Sequence, residues 1–173
     1  MTNSYTYTTW FDKGMALQDE EKYAEALDCF QKAVKLKPDF IPAWVYQGIT
    51  LEQLQRYEEA IACYNEAIKI NPNVADLWYN KGATLCNLRR YQEAVQCFDK
   101  VLEIEPNNAI CQTTRVLTIG ALTHTVIMPK QTDTTEERPP ISAEAEVEIT
   151  LYKKREGQFF DQQSREIDGT PGL

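Results

Sequence analysis

From Thr8 to Ile104 the apolar residues recur with helical spacing in six blocks, each broken from the next by a few polar residues. The spacing predicts helices over Thr8–Glu20, Ala24–Leu36, Pro42–Leu54, Glu58–Ile70, Asp76–Leu88 and Gln92–Ile104. Residues 1–6 form a short lead-in rich in Thr, Tyr and Ser. Asp39, Asn73 and Asn107 each follow a proline and precede a new block. A carboxylate or amide at such a place is expected to accept the orphan backbone N–H groups of the incoming helix. The preceding proline ends the outgoing helix, because its ring and missing N–H do not suit continuation. Pro42 falls in a first turn, where it is tolerated.

The six blocks repeat in pairs at an interval of 34 residues. Trp10, Trp44 and Trp78 keep that interval, as do Gly14, Gly48 and Gly82, and Tyr23, Tyr57 and Tyr91. Ala26, Ala60 and Ala94 keep it too, with the rings Phe30, Tyr64 and Phe98 and the prolines Pro38, Pro72 and Pro106. A 34-residue period built on these residue types marks a helix–turn–helix solenoid unit, and the stretch 7–108 resembles the tetratricopeptide repeat (TPR) family. The resemblance implies an all-α, right-handed superhelical solenoid of three units, at about 7–40, 41–74 and 75–108, plus a capping helix. Gly and Ala leave no bulk where paired helices pass closest, each Trp fills the space beside them, and the Tyr closes the turn. Ala33 and Ala67 extend the small-residue set, whereas Val101 departs from it where the third unit meets residues 109–128. Each buried large side chain contributes roughly 1.5–3 kcal/mol, so the repeated rings drive stacking, and one unit alone cannot bury its apolar face.

Beyond the repeats, residues 109–128 begin in phase and then leave it, with Gln112 and Val116 where Trp and Gly would fall. This stretch is expected to cap the open face of the third unit. It is apolar on more than one side (Val116, Leu117, Ile119, Ala121, Leu122, Val126, Ile127), and the surplus either packs under the remaining chain or joins two copies. Residues 129–143 have a linker composition. Residues 144–173 read as a flexible, mostly disordered tail. Within it Ala145, Val147, Ile149 and Leu151 alternate with Glu144, Glu146, Glu148 and Thr150, a strand or hairpin pattern turning at 153–157.

Charge narrows the partner class. The net charge of −8 divides evenly, with sixteen acids to twelve bases over 1–128 and ten to six over 129–173. No basic cluster marks a nucleic-acid or anionic-membrane ligand. The N-terminus lacks a secretory pattern, and the most apolar run, of 13 residues from Val116 to Met128, is too short to span a bilayer. A cytoplasmic location is the expectation. Cys29, Cys63 and Cys97 share one repeat position, roughly 8–10 Å or more apart by helix packing and so beyond disulfide reach. With one histidine and no CxxC they are expected to be buried thiols, with no metal and no cofactor. Glu20–Glu21 and Glu58–Glu59 suit helix termini rather than acid–base work, and no glycine-rich phosphate loop exists, so the chain is expected not to be an enzyme.

In TPR solenoids the first helices of successive units line a concave groove that holds an extended peptide or a helix. By repeat position that groove takes Phe11, Met15 and Gln18; then Val45, Tyr46, Ile49 and Glu52; then Asp76, Tyr79, Asn80, Ala83 and Asn87. An apolar centre with a polar rim suits a hydrophobic or amphipathic segment of another protein. Some of these, Met15 and Val45 in particular, also suit packing between units. The carboxylate clamp of chaperone-tail TPR domains needs Lys and Asn, then Asn, then Lys and Arg. This chain has Phe11 and Met15, Tyr46, then Asp76 and Asn80, and a shift by one unit leaves only Asn80 matching. The expected role is therefore a protein-interaction scaffold or assembly factor not of the clamp type. The alternative is a homo-oligomerising module built on 109–128 or the tail.

Overall fold

The computed structural model describes residues 6–127, which form seven α-helices and no strand. They are α1 (Tyr7–Asp19), α2 (Tyr23–Leu36), α3 (Ile41–Gln53), α4 (Tyr57–Ile70), α5 (Ala75–Asn87), α6 (Tyr91–Ile104) and α7 (Ala109–Ile127). Each packs chiefly on its neighbours in sequence, so the helices stack as a solenoid of antiparallel pairs with α7 laid against α6. The alternating segment at 144–152 and the linker at 129–143 lie outside the described residues.

Within each pair the helices meet through a glycine and a ring rather than through glycine and alanine. A Cβ on Gly14 would stand 2.6 Å from the Phe30 ring, one on Gly48 2.7 Å from Tyr64, and one on Gly82 2.8 Å from Phe98. Those distances lie inside van der Waals contact, so the missing side chain is what lets each ring lie across the first helix. Phe30, Tyr64 and Phe98 are fully buried, as are Ala26, Ala60 and Ala94 beside them. The tryptophans are only half-buried, and their polar edge has a fixed task. The Trp44 indole N–H donates to the Pro38 carbonyl and that of Trp78 to the Pro72 carbonyl, both at 2.8 Å. Each indole thereby ties a helix to the loop that leads into it.

The turns inside the pairs are built alike. Glu21, Gln55 and Arg89, one repeat apart, take left-handed backbone with φ of 59°, 58° and 57°. The following N–H reaches back to close the first helix, Lys22 to the Leu17 carbonyl at 2.8 Å, Arg56 to Leu51 at 2.8 Å and Arg90 to Leu85 at 2.9 Å. This is the Schellman closure, here made by residues with a Cβ at a cost of about 1–2 kcal/mol each.

The helix starts after the prolines differ from expectation by one residue. Phe40 and Val74, not Asp39 and Asn73, are the N-cap residues of α3 and α5, and neither has a side-chain acceptor. The Pro-Asp and Pro-Asn pairs are used up in the turn itself. The cap position goes instead to apolar residues that join the core, Phe40 at the edges of the Tyr7 and Phe11 rings (5.0 and 5.2 Å) and Val74 beside Leu77. Burial outweighs the roughly 1 kcal/mol of a side-chain cap. Before α7 the cap position holds an amide, and Asn108, not Asn107, accepts the Cys111 N–H at 2.9 Å.

Val101, the departure from the small-residue set, is fully buried in one cluster with Phe98 and Cys111 of α7. Its extra volume is taken up against the seventh helix.

Candidate functional site

The first helices of the pairs and α7 touch along one row, and a threonine ladder holds them. Thr50, Thr84 and Thr118 stand 34 residues apart, and each hydroxyl lies against the carbonyl four residues back in its own helix, at 2.7–2.8 Å. Each also meets a polar atom of the preceding first helix. Thr50 Oγ1 is 3.1 Å from Gln18 Oε1, Thr84 Oγ1 is bonded to Glu52 Oε1, and Thr118 Oγ1 is 3.6 Å from Cys86 Sγ. Glu52 is buried, at 8% exposed, and also accepts the Tyr64 hydroxyl at 3.1 Å. Burial, with that carboxyl beside it, pushes the Tyr64 phenol well above its ordinary range. Tyr79 adds a contact to Thr114 of α7 at 3.3 Å. The sequence holds a signal for this ladder, since Thr recurs at the repeat interval, but a search for apolar periodicity does not pick it out.

The structure sorts the predicted groove residues by depth. Phe11, Val45, Tyr46, Ile49, Tyr79 and Ala83 are buried, together with Glu52 and Asn80. Phe11 packs edge-on to Tyr46 at 5.4 Å, and Tyr79 lies tilted on Phe98 at 5.7 Å. Val45 and Ile49 join Ala67 and Leu77 in a cluster between the second and third pairs. Met15, Gln18 and Asp76 are half-buried, and Asn87 is exposed. The rings that gave the row its apolar centre are thus the floor of the row. Their bulk is spent between neighbouring helices, and shorter or polar neighbours stand above them. The Asn80 side-chain oxygen is buried there with no hydrogen-bond donor among the described residues.

The five thiols are unpaired. Burial pushes Cys63 up to about 12 and Cys97 and Cys111 up to about 11, which leaves the thiols protonated and poorly nucleophilic near neutral pH. No three metal-ligating side chains cluster among the described residues. No described helix is long and apolar enough to cross a membrane.

Tetratricopeptide repeat models match residues 7–40, 75–108 and 29–62, and a TPR repeat model matches 48–88, so that together they span 7–108. The chain belongs to the tetratricopeptide repeat family. Its fold is similar to the first TPR of Spaghetti (RPAP3) bound to the HSP90 peptide SRMEEVD, at 25% identity and a TM-score of 0.65 over 70% of this chain and 96% of that one. It is also similar to YrrB, a TPR protein with an unusual peptide-binding site, at 23% identity and 0.62 over 66% and 59%. The Sgt2 TPR domain from Aspergillus fumigatus aligns at 16% identity and 0.64 over 80% and 97%. Comparison with curated proteins returns no match.

Proposed function

We propose that this TPR protein is a non-catalytic scaffold or assembly factor, built of three repeats at 7–40, 41–74 and 75–108, that holds a hydrophobic or amphipathic segment of another protein along its first helices. The observation that carries this reading is the row itself. Met15, Gln18, Asp76 and Asn87 stand at its surface over a floor of Phe11, Val45, Tyr46, Ile49, Tyr79 and Ala83. Peptide binding by similar folds supports it, the HSP90 peptide on RPAP3 among them. The chemistry of the ligand is expected to differ from that acidic peptide. Phe11, Met15, Tyr46, Asp76 and Asn80 stand where a clamp would need Lys, Asn, Asn, Lys and Arg in turn, and Asp76 repels a terminal carboxylate.

Selection from a random peptide library on the full chain tests the groove. Segments with apolar residues at alternate or helical spacing and no acidic terminus are expected. Met15→Glu with Asp76→Lys, both on partly exposed side chains, should weaken the selected peptides about tenfold or more while leaving the circular dichroism unchanged. Equal recovery by wild type and variant would remove the row as the binding surface.

The second reading is self-association through α7. It is favoured by the exposure of Val116 and Leu117, at 64% and 59%. A solution mass that stays monomeric as concentration rises would end it.

A further inference from the structure

The inner row has one sign of charge. At the repeat positions that form it, the first helices carry Asp12, Asp19, Glu52 and Asp76 and no lysine or arginine. Carboxylates around a floor of rings favour a ligand that brings apolar side chains and cations together. One such segment exists in the same chain. Residues 145, 147, 149 and 151 are Ala, Val, Ile and Leu on alternate positions, and Lys153, Lys154 and Arg155 come directly after, the densest basic run in the sequence.

We propose that residues 144–155 occupy this row in cis, with the alternating apolar residues over the Tyr46–Tyr79 floor and the basic run toward the half-buried Asp76. The inference rests on the groove reading above. An extended segment that alternates presents every second side chain to one surface, so a single face would meet the floor. The reach is sufficient. Helix α7 ends at Ile127, and the sixteen residues 128–143 span up to about 55 Å when extended, at roughly 3.3–3.6 Å per residue. A first helix of thirteen residues is only about 20 Å long. Tethering at that range supplies an effective concentration near the millimolar scale, so even a weak segment would hold the row against a dilute competitor. The consequence is a scaffold whose binding face is screened until a partner outcompetes its own chain.

A fluorescein-labelled peptide of residues 144–155 is the probe, titrated by anisotropy into the full chain and into the full chain carrying Ile149→Asp, Lys153→Glu and Lys154→Glu. These substitutions lie outside the described helices, and unchanged circular dichroism checks the fold. The disarmed chain is expected to bind the probe about tenfold more tightly or better than wild type, and Asp76→Lys added to it should abolish the gain. Equal affinity for both chains, or no binding to either, would overturn the proposal. A gain that grows with protein concentration would also overturn it, in favour of exchange between two copies. Failure here and failure of the groove reading separate cleanly. Library-selected peptides that still depend on Met15 and Asp76 would keep the groove and dismiss its cis occupant.

Discussion

Helices α5 and α7 begin one repeat apart and keep the same register, yet among the described residues only α5 is enclosed on both sides. On the side facing the preceding pair they agree. Thr84 and Thr118 hold the same rung, and the Trp78 indole and the Gln112 amide each donate to the proline carbonyl six residues back, both at 2.8 Å. On the other side they part. Gly82 receives the Phe98 ring, whereas Val116 is 64% exposed and a Cβ on Gly120 would meet nothing among the described residues. A first helix therefore has two independent faces, one that docks it onto the stack and one that receives its own partner helix. Among the described residues helix α7 keeps the first and has no counterpart of the second.

The sharpest way to break this contrast is to empty the receiving side of the third pair. Phe98→Ala removes a fully buried ring from the cluster that joins α5, α6 and α7. It should cost about 3–5 kcal/mol. Val116→Ala, at the place in α7 where α5 has Gly82, should stay within about 0.5 kcal/mol. Urea unfolding reads both, with amide exchange expected to show α5, α6 and α7 opening first in the Phe98 variant. Similar losses at the two positions would mean that α7 is packed on its far face.

The same division separates the features legible in the sequence from those that are not. Contacts made by one residue type at one interval are readable: the six helices of 7–104 begin and end within a residue of expectation, because Gly, Ala and the rings have few other places to go in such a stack. Depth is not readable. Tyr46 and Tyr79 occupy the expected row, but the apolar pattern alone does not distinguish a ring on a wall from one inserted between helices. The cap positions fail for a related reason, since Phe40 and Val74 gain more from the core than Asp39 and Asn73 would from an N–H. Gln112 looks like a loss of the repeat, yet its amide does what the indole does. The chemistry is preserved while the letter changes.

Glycine gives a comparison with opposite signs. At Gly82 an added Cβ lies 2.8 Å from the Phe98 ring, held in a filled core, whereas at Gly120 it meets open space. Both substitutions by alanine gain about 1 kcal/mol of helix propensity. Gly82→Ala must also displace the ring, an overpacking cost of roughly 1–3 kcal/mol, for a net loss of up to about 2 kcal/mol. Gly120→Ala keeps its gain and should raise stability by about 0.5–1 kcal/mol. If both stabilise, the ring is free to yield and the glycine position is not what admits it.

The smallest effect tests the face that α5 and α7 share. Gln112 is exposed, so its 2.8 Å bond to the Pro106 carbonyl competes with water and should contribute at the low end for a hydrogen bond, about 0.5–1 kcal/mol. Gln112→Met keeps the length of the side chain and removes the amide with its donor, while Gln112→Trp replaces the amide with the indole found at Trp44 and Trp78. If the N–H is what ties a helix to its entering loop, the methionine variant loosens the first turn of α7 in amide exchange and the tryptophan variant does not. If tryptophan protects the turn well beyond wild type, the ring's apolar area outweighs its donor, and Gln112 is then a partial substitute that leaves α7 less firmly seated than α3 or α5. Equal protection in all three would mean that the ladder at Thr118 and the buried Cys111 seat α7 without the loop.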